Sequence, residues 1–261
     1  MEVLGYLGAL LIGLVLGLTG GGGSMLTVPI LTYILLISPV TATAYSLFVV
    51  GTTSAFGAFQ NAKNGLIDFK NGFLFAVPSF VAVYVTRRFL VPEIPEVIIS
   101  NPFVLKKGTF LMIIFGIIML LAAFSMLKKK SNATENQTQT SVYSLIIQTF
   151  LIGIVIGLVG AGGGFLIIPS LVLFVKLPMK KAIGTSLFII AINSLIGFLG
   201  DVQNLPIDWS FLLVFTGLSI IGIFMGMYLS KFTNENQLKK GFAYFVLVMA
   251  LVIFYKEINA L

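Results

Sequence analysis

The residues best placed to do chemistry are glycines. Gly20, Gly21, Gly22 and Gly23 run together and are followed by Ser24; a second cluster, Gly160, Gly162, Gly163 and Gly164, is broken only by Ala161. Each glycine inside a helix costs about 1 kcal/mol relative to Ala, so neither run continues a helix stably. The residues after each run are apolar and helix-forming. A helix that starts just after Gly23 or Gly164 presents free N–H groups and the positive end of its dipole. With no side chains in the way, two such ends facing one another would hold a small oxyanion without a charged side chain. Ser24 adds a hydroxyl, as N-cap or as ligand. No Gly-Lys-[Ser/Thr] succeeds either run, which speaks against a nucleotide phosphate loop.

Further polar candidates lie in two apolar stretches. Residues 42–59 carry Ser46, Thr52, Thr53 and Ser54, and residues 182–199 carry Ser186, Asn193 and Ser194. A serine or threonine satisfies itself on the preceding turn's carbonyls, but an amide such as Asn193 needs a partner or a cavity. Asp68 and Asp208 stand where helices begin and read as caps. Arg87 and Arg88 end the stretch 71–90 and read as membrane-edge residues that snorkel.

Composition sets the medium in which these groups work. Of 261 residues only 10% are charged and 58% are hydrophobic, against roughly 25% charged in a soluble domain; the mean hydropathy is +1.07. This is a multi-pass, all-α membrane protein with the cell membrane as its location. The absence of Cys and His removes thiolates, imidazole bases and the usual zinc and haem ligands, so no metal site, no cofactor and no enzymatic activity are expected. The positive charges, 16 against 9 negative, are scattered between apolar runs and do not mark a nucleic-acid partner.

Ten apolar stretches read as helices: 3–19, 25–37, 42–59, 71–90 and 107–127, then 143–160, 165–177, 182–199, 208–230 and 240–256. The first two of each series are short, and a helix through both would be too long for one crossing. The economical arrangement is a hairpin of two short helices joined by a glycine turn inside the membrane, where protein or a water-filled cavity must supply hydrogen-bond partners. Between the two series, Lys128 to Ser141 is a polar linker.

The two series are copies. Gly13 to Pro29 aligns with Gly153 to Pro169 at an offset of 140, with 9 of 17 positions identical. The same offset carries Ser46-Leu47-Phe48 onto Ser186-Leu187-Phe188, Thr52-Thr53-Ser54 onto Ile192-Asn193-Ser194, and Ile67-Asp68 onto Ile207-Asp208. The chain therefore divides into a first transmembrane repeat (1–127), a linker (128–141) and a second repeat (142–261), an organisation common to secondary transporters. Lys63, Lys70, Lys128 to Lys130, Lys176, Lys180, Lys181, Lys231, Lys239 and Lys240 fall on one side of the expected topology. Arg87, Arg88, Lys106, Lys107 and Lys256 fall on the other. That asymmetry favours inverted repeats, a cytoplasmic linker and both termini outside.

The pattern Gly-Leu-x-Gly-x-Gly-Gly followed by Leu-x-x-Pro, at Gly17 to Pro29 and again at Gly157 to Pro169, resembles the TauE/SafE sulfite-exporter family. The resemblance implies a transporter of small sulfur-containing oxyanions such as sulfite, sulfoacetate or other sulfonates. The expected partners are a small anionic substrate, the lipid bilayer and a coupling ion, proton or sodium, with a homodimer an open option. A channel or cation-coupled carrier for another small solute is the alternative, with the turns presenting carbonyls in place of N–H groups. In either reading the site draws on the two glycine clusters, Ser24, Ser46, Thr52, Thr53, Ser186 and Asn193.

Overall fold

The computed structural model describes residues 2–100, 104–127, 142–160, 162–173, 175–232 and 235–258; the linker expected at 128–141 lies outside them. Each apolar stretch falls in a helix. The first series gives α1 (Glu2–Thr19), α2 (Ser24–Pro29) prolonged by a π-helical turn (Ile30–Ile34), α3 (Pro39–Lys63), α4 (Phe69–Val85) prolonged by a second π turn (Thr86–Leu90) and α5 (Val91–Glu93), and α6 (Lys107–Leu127). The second gives α7 (Val142–Val159), α8 (Gly164–Leu173), α9 (Met179–Asp201), α10 (Trp209–Leu229) and α11 (Glu235–Ile258). A small antiparallel pair, β1 (Val97–Ile99) with β2 (Leu105–Lys106), joins α5 to α6. Among the described residues four helices are long and apolar enough to cross a membrane: Pro39–Lys63, Phe69–Glu93, Met179–Asp201 and Trp209–Leu229.

Local chemistry fixes where helices start. Ser38 accepts the Thr41 N–H ahead of Pro39 at the first helical position of α3. Asp68 accepts the Asn71 N–H at 3.0 Å and Asp208 the Phe211 N–H at 3.1 Å, so both aspartates cap, at the heads of α4 and α10. Their own N–H groups reach across the molecule. That of Asp68 donates to Thr185 Oγ1 (2.9 Å) and that of Asp208 to the Tyr45 hydroxyl (2.7 Å), contacts related by the same offset of 140.

Packing follows the glycines. Gly13 and Gly17 of α1 lie against the backbone of Ser219, Ile223 and Gly226 on α10, while Gly153 and Gly157 of α7 lie against Ser79, Val83 and Thr86. Both are close helix crossings of the small-xxx-small kind. At the centre α3 and α9 run antiparallel: Leu47 meets Gly197, Gly51 meets Leu195, Gly57 meets Leu187 and Asn61 meets Gly184. Two apolar clusters flank this pair. One gathers Leu31, Ala42, Val49 and Phe215; the other gathers their counterparts Leu171, Ala182, Ile189 and Phe75. Outward faces stay apolar, as Phe73, Val77, Val81 and Val85 on α4 illustrate. Successive steps of four place those side chains on one stripe, the face lipid would cover.

Candidate functional site

Each glycine cluster is a tight reversal. α2 folds back on α1, bringing Gly23 against Ile12 and Leu16, Ile30 against Gly8 and Leu35 against Gly5. In the second copy Gly163 lies against Ile156 of α7. Gly20 (φ +75°) and Gly160 (φ +69°) end α1 and α7 in the left-handed conformation, each N–H closing back on the carbonyl four residues earlier. Beyond that point the copies differ. Gly162 and Gly163 are also left-handed (φ +65° and +71°), whereas Gly23 keeps a helical φ of −63°.

The two reversals touch. A methyl group on Gly21 would lie 2.7 Å from the Gly164 Cα, and one on Gly164 would run into the Gly21 Cα. One on Gly162 would meet Val50 and the Ser194 hydroxyl, which lie near the midpoints of α3 and α9. Gly20 rests on Ile183 and Gly160 on Thr43, again residues 140 apart. Glycine at 21 and 164 is what lets the backbones of the two turns meet.

The predicted polar residues are distributed unevenly around this crossing. Ser24 does not cap α2: Gly23 holds the cap position, and the Ser24 hydroxyl donates back to the Gly21 carbonyl at 2.7 Å. The Gly22 N–H is taken by Thr19 Oγ1 at 2.8 Å. The Ser186 hydroxyl sits between the carbonyls of Gly20 (2.7 Å) and Ile183 (2.8 Å), tying α9 to the first turn. Its counterpart Ser46 is fully buried with no partner, as are the Thr53, Ser54, Thr86 and Ser194 hydroxyls. Thr52 is only half-buried. Asn193 finds its partner on a neighbouring helix, donating from Nδ2 to Ser79 Oγ at 2.8 Å, while Ser79 donates on to the Phe75 carbonyl. It therefore links α9 to α4.

Arg87 corrects the sequence reading. It does not snorkel: the side chain is 0% exposed, the largest fully buried one among the described residues. Its Nη1 pairs with Asp201 Oδ2 at 3.2 Å and donates to Thr43 Oγ1 at 3.1 Å. Nη2 occupies the space a Cβ on Gly160 would need, and neither Nη2 nor Nε has a protein partner. Arg88, by contrast, reaches Asn204 at the exposed edge (3.3 Å) and fits the membrane-edge reading. Both arginines lie in the π turn Thr86–Leu90, and as consecutive residues they point about 80–100° apart. The turn's wider winding shifts the register of the last turns, a distortion that composition and 3.6-residue periodicity do not reveal.

A family profile described as Sulfite exporter TauE/SafE matches residues 6–253, from α1 into α11. The chain belongs to the TauE/SafE family. Three relatives span most of it. A probable membrane transporter protein of Xylella fastidiosa (strain 9a5c) is 27% identical over 95% of this chain and 92% of its own length. The probable membrane transporter protein YunE of Bacillus subtilis is 27% identical over 94% and 91%. A third, from Methanocaldococcus jannaschii, is 29% identical over 73% and 70%. No solved structure matches the chain. Membership of TauE/SafE and the apolar helices together make this a multi-pass membrane transporter, with a small-molecule substrate and a lipid surround.

The repeat offset does not single out the buried charge in this TauE/SafE chain, since Arg88 also falls on a neutral residue, Tyr228. At the offset of 140, Arg87 falls on Met227 and Asp201 on Asn61. The structure is what shows these two charges to be a pair that the other copy lacks.

Proposed function

We propose that this TauE/SafE protein is a secondary transporter of small sulfur-containing oxyanions (sulfite, sulfoacetate or related sulfonates) working by alternating access between two inverted repeats, 1–127 and 142–261. The observation that carries the reading is the crossing of the two glycine reversals at Gly21 and Gly164, halfway along the antiparallel pair α3 and α9. Equivalent helices that run antiparallel are related by an axis across their length, which is the geometry of an inverted repeat. Irregular backbone at that depth is tolerated where it lines a substrate path. The start of α8 and the start of α2 converge there, with no acidic residue in the first turn of either. In this proposal backbone N–H groups of the turns hold the anion, with the unpartnered Ser194 hydroxyl beside Gly162 and those of Ser46 and Thr53 buried on α3. Asn193 and Ser186 hold α9 in place around it.

The test is uptake into liposomes carrying the purified protein, with radiolabelled sulfite, sulfoacetate and methanesulfonate. Wild type should move at least one of them, and Ser194→Ala, which removes a buried hydroxyl without a protein partner beside Gly162, should cut the rate at least tenfold while reducing folded yield less than twofold. Loss of rate and yield in equal measure would assign that hydroxyl to packing alone. A wild-type protein that moves none of the three would overturn the substrate class.

A further inference from the structure

We propose that Arg87 and Asp201 form a charged subsite at the Gly160 end of the second turn, where an oxyanion on the guanidinium and a proton on the carboxylate are taken up together. The inference rests on the transport reading above and deepens it by naming the coupling ion.

The guanidinium is completely buried, yet two of its nitrogens, Nε and Nη2, find no acceptor, and Nη2 lies against Gly160. Gly160 opens the same turn that Gly164 closes against Gly21, so this unpaired edge sits at one end of the proposed anion path. Arginine offers five donors in a planar fork that matches an oxyanion bidentately. Here Asp201 makes a single 3.2 Å contact with Nη1 and leaves the other edge open. The hydroxyl of Thr86, next to Arg87 in the chain, is buried and unpartnered as well.

With Asp201 ionised the pair is neutral. Adding an oxyanion to the open edge would put two negative groups on one buried guanidinium, which a site of low dielectric disfavours. Protonating Asp201 removes the conflict. Each ligand therefore favours the other, and the coupling is reciprocal by linkage. The balance is simple: the proton converts the Asp201 carboxylate to a carboxylic acid, Arg87 keeps its own proton, and the anion becomes the counter-charge. Release returns both. For a monoanion one proton travels with each anion and no net charge moves.

The other buried carboxylate among the described residues, Glu257 of α11, is engaged by the Tyr33 hydroxyl at 2.9 Å, and the buried Lys107 stands at the head of α6. On the α4–α5 rod Arg88 points to Asn204 and Glu93 is exposed. On α9 the remaining charges, Lys180 and Lys181, are at the opposite end. Tyr45 of α3 is engaged by Asp208.

The other copy carries no such pair. The pair's counterparts at the other end of the molecule are Met227, on a helix without a π turn, and Asn61, whose amide donates to the Gly57 carbonyl. The same crossing thus closes with neutral residues there.

The experiment uses the purified full chain in liposomes and a panel of labelled anions: methanesulfonate, which stays a monoanion across the pH range, with sulfoacetate, sulfite, acetate and nitrate. Wild type should accumulate methanesulfonate toward the alkaline side by about tenfold per unit of imposed pH gradient. Asp201→Asn should make whatever anion exchange remains insensitive to pH and abolish accumulation. The double variant Arg87→Met with Asp201→Asn copies the neutral pair of the other end and so should fold, with its exchange KM raised at least a hundredfold. Accumulation by Asp201→Asn equal to wild type, or a wild-type KM in a folded double variant, overturns the proposal. Proton-coupled movement of acetate or nitrate alone supports the coupling and overturns the sulfur assignment. No movement of any anion overturns both.

Discussion

Removing one member of a buried ion pair is more damaging than removing both, because it strands an uncompensated charge. Arg87→Met alone leaves Asp201 unpaired and should destabilise the protein by about 3–5 kcal/mol, whereas Arg87→Met with Asp201→Asn should recover most of that loss. Melting in detergent measures both; equal melting temperatures for the single and double variants would show that the carboxylate is neutral without its partner. A second pair tests the reading of Asn193. Since its amide donates to Ser79, Asn193→Ala and Ser79→Ala should be non-additive, with a coupling energy of about 0.6–1.7 kcal/mol in a double-mutant cycle. Independent effects would return Asn193 to the open path. At this scale the sequence is half legible. Residue types announce which groups cannot sit in lipid unpaired, as Asn193 shows. They do not announce which way a side chain turns, and Arg87, within the π turn Thr86–Leu90, faces inward to Asp201 against the default for a terminal arginine.

Helices and their caps were the most legible level, because twenty-residue apolar runs have few other ways to satisfy their backbones in a membrane. The Asp68 and Asp208 caps followed from position alone. Burial pushes the Asp68 carboxyl up, but the backbone and side-chain N–H groups of Asn71, with Lys181 and Lys70 nearby, outweigh it and hold the group below the usual carboxylate range. A depressed value means the cap contributes above the unfolded pKa of about 4 and is lost as pH falls through the lower folded value. Asp68→Asn should therefore flatten the acid limb of the stability profile below about pH 4, read by thermal melting across pH; an unchanged limb would mean the cap carries no linkage. What stayed hidden were the elements with no periodic signature: the β1–β2 pair and the two π turns. The helix-packing glycines make a further prediction. Gly222 lies on the backbone of Leu10 and Leu14, so Gly222→Val should lower folded yield and transport together, unlike Ser194→Ala.

At the scale of the molecule the offset of 140 was the strongest signal, and it reappears as paired contacts: Asp68 with Thr185 and Asp208 with Tyr45, Gly20 with Ile183 and Gly160 with Thr43. Direction across the membrane is a separate matter. The lysine asymmetry predicts that a cysteine at Asn136 reacts in intact cells only with membrane-permeant reagents. Labelling by an impermeant reagent from outside would reverse the assigned orientation.

The pattern of helix contacts has a consequence for how such a molecule can be assembled. α1 packs on α10, α7 on α4, and Ser186 holds the first turn by its Gly20 carbonyl, so each series of helices finishes the other's interior. Neither segment keeps its own buried surface covered. Chains cut within 128–141 and synthesised together should find each other and restore uptake, while either fragment made alone should be degraded. The arrangement is that of two exchanged arms, each useless without the other.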